Sequence, residues 1–281
     1  MESLNEMRLE VIDMLLHSYS CDFAACRDNQ GYLPLHIAAQ QGDAKVVDML
    51  SRQREAYFAP AAEGGSCLQA KNGRTPLHFA CQCGSVESVR TLLELNRCFC
   101  VPKLMLDLVS TAGSDGRLPL HLAAFGGSVD VVDLLLERHP RSCLSCVGNN
   151  LTPLHVACSH GHYDVMLRLL AVSEEPVFMA DTTTRVPSSA HGAVECEHSD
   201  NYPITHAIRN QHWKIVLFLL VKFPRLVSAI TTPSTGISFF HLVAHNFHVL
   251  TDVGENTNQL RRLMVQKIWS LALEHIGWDP S

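Results

Sequence analysis

Four histidines of this 281-residue chain recur inside one phrase, which stands as LPLHIAAQQG, TPLHFACQCG, LPLHLAAFGG and TPLHVACSHG. The residues are His36, His78, His121 and His155. Imidazoles are the commonest zinc ligands and general bases. A metal site needs several of them to converge, with metal–nitrogen distances of about 2.0–2.1 Å. Other residues offer related chemistry. Cys81/Cys83, Cys98/Cys100 and Cys143/Cys146 form close pairs, and HGAVECEH holds His191, Cys196 and His198. A closed zinc site takes four ligands, which neither a lone CxxC nor that triplet supplies. Cys158 and His160 have the types of a nucleophile and a base, but two residues apart on one short helix they point in different directions. No phosphate-binding GxxxxGK[ST], no GxGxxG after a strand and no HExxH occurs.

The elements that would position these groups are set by the repeat around them. Pro34, Pro76, Pro119 and Pro153 anchor four copies. Three residues before the anchor stands Gly31, Gly73, Gly116 or Asn150; eight after it stands Gly42, Gly84, Gly127 or Gly161; sixteen after it stands Leu50, Leu92, Leu135 or Leu169. Two weaker copies follow. Pro203 keeps Leu219 but has Thr205 and Gln211 in place of histidine and glycine; the last keeps Gly236 and His241 but has Phe239 in place of proline. Anchors at 34, 76, 119, 153, 203 and 239 are 42, 43, 34, 50 and 36 residues apart.

Each copy predicts a turn, a short helix, a tight turn and a longer helix. Asn-Gly and Asp-Gly pairs favour the turn. Proline suits the first helical position, where its missing N–H is not needed. The glycine eight residues on suits a left-handed cap. Val131, Val132, Leu135 and Leu136 carry helical spacing in the longer helix, which His139-Pro140 ends, as Phe223-Pro224 does in the fifth copy. Stacked copies hold equivalent histidines roughly a helix diameter of 10 Å apart. The repeated histidine therefore reads as a brace to the neighbouring turn, and Cys81 and Cys158, in the second alanine position, read as small buried groups.

This pattern resembles the ankyrin repeat family, whose T-P-L-H-x-A signature stands here as TPLHFA (75–80) and TPLHVA (152–157). The resemblance implies an all-α repeat solenoid of stacked helix–turn–helix units with projecting loops or short hairpins. One solenoid is expected over 1–281: an N-terminal cap or half-repeat at 1–30, repeats over 31–250 and a C-terminal capping helix in 251–281. Residues 5–16 match only a second helix, with Val11, Ile12 and Leu15 in its apolar positions and Ser3 and Glu6 forming a capping box. Leu33 and Leu118 replace the threonine before the proline, which removes a hydroxyl near the histidine. Gln211 and Phe247 replace the capping glycine, so those helices should end differently.

Three insertions lengthen the spacing. Residues 53–70 and 96–114 should extend the projecting edge; Leu104, Met105, Leu106, Leu108 and Val109 of the second are expected to pack against the stack, the alternative being an exposed apolar ledge for a partner. Residues 171–200 hold six acids against one arginine and are rich in Ser, Thr and Pro, which predicts a mobile acidic insertion, the alternative being an acidic arm for a basic partner or a phosphorylation target at Thr182–Thr184 or Ser188-Ser189.

Composition narrows the function. The chain is 47% hydrophobic and 18% charged, a globular balance. A net charge of −6 does not suit a nucleic-acid binder that neutralises phosphates. The longest apolar run, IVLFLLV at 215–221, is too short to span a bilayer. Eleven irregularly spaced cysteines without a secretory leader point to free thiols and a cytoplasmic location, the nucleus also remaining open.

The resemblance implies a non-catalytic scaffold or adaptor, a monomer that binds a protein partner. No catalytic residue, cofactor, metal, nucleic acid or membrane insertion is expected. Contact is expected through the turn tips Tyr32, Arg74, Arg117, Leu151, Asn201 and Ile237, and through the concave first-helix face: Gln40, Gln41, Gln82, Phe125, Ser159, His160, Arg209 and Asn210. Tyr and Arg are common interface anchors. Two alternatives stand beside this reading: a metal-binding or enzymatic module using the His/Cys-rich insertion, and a structural segment of a larger polypeptide.

Overall fold

The structure is a computed structural model and describes residues 2–18, 24–53, 68–98, 108–146, 151–178, 202–230, 239–248 and 255–276. These residues form two compact units, Met1–Ser145 and Cys146–Ser281. Both are helical, and no β-strand occurs among the described residues.

The first unit holds α1 (Glu2–Ser18) and three helix pairs: α2 (Pro34–Gln41) with α3 (Ala44–Ser51), α4 (Pro76–Cys83) with α5 (Val86–Cys98), and α6 (Pro119–Gly126) with α7 (Val129–Arg138). A short 3-10 turn, Pro140–Leu144, follows. First helices stack on first helices and second on second, and α1 packs on α3. The second unit holds α8 (Pro153–His160) with α9 (Tyr163–Val172), α10 (Pro203–Arg209) with α11 (Trp213–Lys222), α12 (Leu226–Ala229), α13 (Phe239–His248) and α14 (Glu255–Ile276). Here α10 packs against both α8 and α13, and α14 lies against α11 and α12.

All six first helices begin at the anchor residue. Proline at the first position has its φ preset and gives up no hydrogen bond. Gly42, Gly84, Gly127 and Gly161 end the first four of these helices at φ between 71° and 78°, the left-handed region open to a residue without Cβ. Gln211 adopts the same geometry at φ 62°. The fifth first helix is one residue shorter, ending at Arg209 with Asn210 as cap, but the left-handed turn survives the loss of glycine. The Phe247 side chain lies outside the described residues.

The core lies between the layers. Leu35, Leu77, Leu120 and Leu154, each directly after an anchor, are almost fully buried, as are Val131, Val132, Leu135 and Leu136. Removal of one such side chain from water is worth about 1.5–3 kcal/mol. Gly126 permits α6 to approach α4: a Cβ there would lie 2.5 Å from the Gln82 carbonyl oxygen. Leu108 and Val109 are buried as expected, while Leu104, Met105 and Leu106 lie outside the described residues.

Two local expectations change. Helix α1 spans Glu2–Ser18, which places Ser3 inside the helix and not before its first turn. It buries Leu16 and leaves Val11 49% exposed, because the face that meets α3 is rotated from the valine–leucine register. In the region of the acidic insertion, α9 runs to Val172, and Glu175–Phe178 form a 3-10 turn with Val177 buried. Residues 179–200, with His191, Cys196 and His198, lie outside the described residues.

Candidate protein-binding surface

The repeated histidines are positioned by the start of each first helix. His36 Nδ1 accepts the Leu33 N–H at 3.0 Å, and His78 Nδ1 accepts the Thr75 N–H at 3.1 Å. The opposite nitrogens reach the next repeat: His36 Nε2 donates to the Arg74 carbonyl at 3.2 Å and His78 Nε2 to the Arg117 carbonyl at 3.0 Å. His121 and His155 accept the N–H of Leu118 and Thr152 in the same way, at 3.3 and 3.1 Å. Where threonine precedes the anchor, its hydroxyl donates to the imidazole as well, at 2.9 Å for both Thr75 and Thr152. Leu33 and Leu118 have no such hydroxyl.

In His36 and His78 both ring nitrogens are therefore committed to backbone, one locally and one across the repeat. Burial pulls the pKa of each down to about 4. They are neutral struts near pH 7, not acid–base catalysts. The thiols of Cys81 and Cys158 are fully buried, which pushes their pKa far up and leaves them unreactive. Cys158 is thus no nucleophile for His160, whose Nδ1 instead bonds the Val156 carbonyl at 2.9 Å. Among the described residues, no group of three His, Cys, Asp or Glu side chains is placed to hold a metal ion.

The turn tips of the first unit form a ladder. Each closes on itself through backbone bonds, Asp28 N–H to Tyr32 O, Ala70 N–H to Arg74 O and Gly113 N–H to Arg117 O, all 2.9–3.0 Å. Each then hangs on its neighbour: Lys71 N–H donates to Gln30 O at 3.0 Å, and Ser114 N–H to Asn72 O at 2.8 Å. Side chains continue the ladder. The Tyr32 hydroxyl accepts from Asn72 Nδ2 at 2.8 Å, and its ring meets Phe79 edge-on at 5.4 Å. Arg74 donates to Asp115 Oδ2 at 2.9 Å, and Arg117 Nε lies 3.8 Å from the same oxygen. Burial opposes the Asp115 charge, but the Arg74 bond, the Arg117 N–H and both guanidiniums outweigh it and hold the carboxyl below its usual range. Tyr32, Arg74 and Arg117 thus help hold the tips together, and Asp115 offsets part of the arginine charge. Leu151 is half-buried; Asn201 and Ile237 lie outside the described residues.

The first-helix face is less committed. Gln40, Gln41 and Gln82 are exposed, and Phe125 is 36% exposed. The structure adds Ile37, 41% exposed on the same face one turn before Gln40 and Gln41, and the exposed thiol of Cys83 beside Gln82. The i, i+3, i+4 spacing of Ile37, Gln40 and Gln41 was the available signal for the first. In the second unit His160, Arg209 and Asn210 are exposed, and Ser159 is half-buried. Asn210 Nδ2 donates to the Ser159 hydroxyl at 3.2 Å, and His212 Nε2 to the Ser159 carbonyl at 3.0 Å.

Stacked helix pairs, proline starts, left-handed caps and histidine struts are the architecture of a repeat solenoid. The family model for ankyrin repeats matches in three copies, over residues 3–103, 56–145 and 96–184. The chain belongs to the ankyrin-repeat family. It is similar to the transient receptor potential cation channel subfamily A member 1 of Drosophila melanogaster, 29% identical over 266 residues. That match covers 92% of this chain and 20% of the relative, so the chain spans about a fifth of the relative's length. Ankyrin repeats generally mediate protein–protein interaction. No described helix is long and apolar enough to cross a membrane.

Proposed function

We propose that this chain is a non-catalytic protein-binding scaffold that engages a protein partner through its turn tips and the exposed face of its first helices. The observation that carries this reading is the division of labour along each first helix. Its buried positions hold the stack, while Ile37, Gln40, Gln41, Gln82 and Phe125 are exposed at successive repeats. Amides offer donors and acceptors to a partner backbone, and Phe125 and Ile37 offer apolar contact. The tips contribute Arg74 and Arg117 already fixed by Asp115, so little side-chain entropy is lost when they meet carboxylates.

The test is capture of partners by wild type and by Gln82→Glu/Phe125→Ala, with thermal melting of both. A partner lost from the variant, whose melting is unchanged, supports the reading. A partner retained equally by both contradicts it.

A further inference from the structure

Exposed large hydrophobic side chains gather on one described helix, α1, where Met7, Val11 and Met14 are 60, 49 and 61% exposed. No other described helix carries more than one. The i, i+4, i+7 spacing sets the three within about 60° of one another around the helix axis. Leu9, Ile12 and Leu16, half-buried or buried, fall within about 60° on the opposite side. Helix α1 thus has two apolar faces, and packing on α3 leaves the first of them in solvent.

The repeats show what that face lacks. Val11-Ile12-x-x-Leu15 repeats the motif Val46-Val47-x-x-Leu50 and Val131-Val132-x-x-Leu135. The first position of the motif, twelve after the anchor, is Val46, Ser88, Val131, Val165 and Ile215 in five repeats, and all five are buried. In each of those repeats a first helix packs against the second. Among the described elements α1 packs principally on α3, and Val11 stays half-exposed. Scattered exposed hydrophobic residues are ordinary, whereas a contiguous stripe of them marks a contact site.

The borders of the stripe select the occupant. Glu6 and Glu10 lie along one border, exposed and in no ion pair among the described residues. On the other border Arg8 is held by Asp43 at 3.0 Å. A second copy of the chain fits these borders poorly. Antiparallel two-fold pairing of α1 with itself sets the acidic border against its own copy. Parallel pairing sets it against the border whose arginine is already engaged. A helix of another protein with an apolar stripe and lysines or arginines beside it meets both features at once.

We propose that the Met7–Val11–Met14 face of α1, bordered by Glu6 and Glu10, docks a basic amphipathic helix of a partner protein. The apolar stripe supplies the contact area, with methionines at both ends that adapt to the shape of the incoming helix. The glutamates fix which way round that helix lies. This surface is distinct from the first-helix face and adds a second point of attachment to the scaffold.

The experiment measures polarisation of three fluorescent peptides of about 18 residues with the full chain. One carries leucines at i, i+3, i+4 and i+7 with flanking lysines; one has glutamates in place of the lysines; one is the lysine peptide with its order scrambled. The first is expected to bind at least about tenfold more tightly than either other. Val11→Glu adds an acid but removes the centre of the stripe, and should lower affinity for the lysine peptide about tenfold with thermal melting unchanged. Glu6→Gln/Glu10→Gln should lower it about threefold. Failure of the lysine peptide to bind, equal binding of the scrambled peptide, or full affinity in Val11→Glu overturns docking on this stripe. Equal binding of the glutamate peptide overturns the basic partner. A dimer seen by sedimentation equilibrium and abolished by Val11→Glu assigns the stripe to a second copy and overturns the proposal as well. The first-helix reading, tested at Gln82 and Phe125, is unaffected by any of these results.

Discussion

A buried imidazole with both nitrogens bonded to backbone ties the pH dependence of stability to the repeat. The unfolded chain protonates its histidines near pH 6.5, while folded His36 and His78 resist protonation down to about 4. Between those values the unfolded state binds more protons. The stabilising contribution of the two neutral imidazoles is therefore full above pH 6.5 and is lost as pH falls towards 4, by about 3 kcal/mol for each residue. Urea unfolding at a series of pH values should show this slope, and His78→Gln should flatten it by about half. A slope unchanged in that variant would show that His78 is not a neutral strut. The role of these histidines was legible in the sequence, because a residue repeated every 34–43 positions at one helical site cannot converge. The engagement of Arg74 with Asp115 was not, because two tips 41 residues apart meet only once the stack exists.

At the scale of the element, local pattern fixed the starts and ends of the first helices, since proline and glycine act through their own φ angles. Gln211 shows the limit of such reasoning. Packing of α10 against α8 and α13 imposes the left-handed turn even on a residue that disfavours it. Gln211→Gly should therefore stabilise the second unit by about 1 kcal/mol. Gly126→Ala should destabilise the first by about 2 kcal/mol, because its methyl meets α4 backbone at Gln82 rather than a side chain that can move. Paired denaturant melts check both signs; a neutral Gly126→Ala would mean that α4 and α6 separate readily. Helix α1 was only partly legible. Its existence followed from its apolar spacing, but the face it buries depends on α3, which leaves Met7, Val11 and Met14 exposed.

For the whole molecule, six anchors in the sequence became six first helices, distributed between two compact units. The state of the variable side chains was less accessible. Sequence pattern distinguished variable positions from repeated ones, but not which of the variable side chains bond within the stack. Burial and bonding show it: Tyr32 bonds Asn72, Arg74 and Arg117 pair with Asp115, and Gln40, Gln41, Gln82 and Phe125 are exposed. The two units also present different chemistry on equivalent helices, amides and apolar groups in one and imidazoles with Arg209 in the other.

The central claim, that the first-helix face meets a protein partner, is tested most directly by site-specific photo-crosslinking. A photoreactive amino acid is placed in turn at Gln82 and Phe125 on first helices, and at Arg90 and Arg138 on second helices, all exposed. The account predicts that one protein is crosslinked from positions 82 and 125 and not from 90 and 138. Crosslinks from the second helices with none from the first would contradict it.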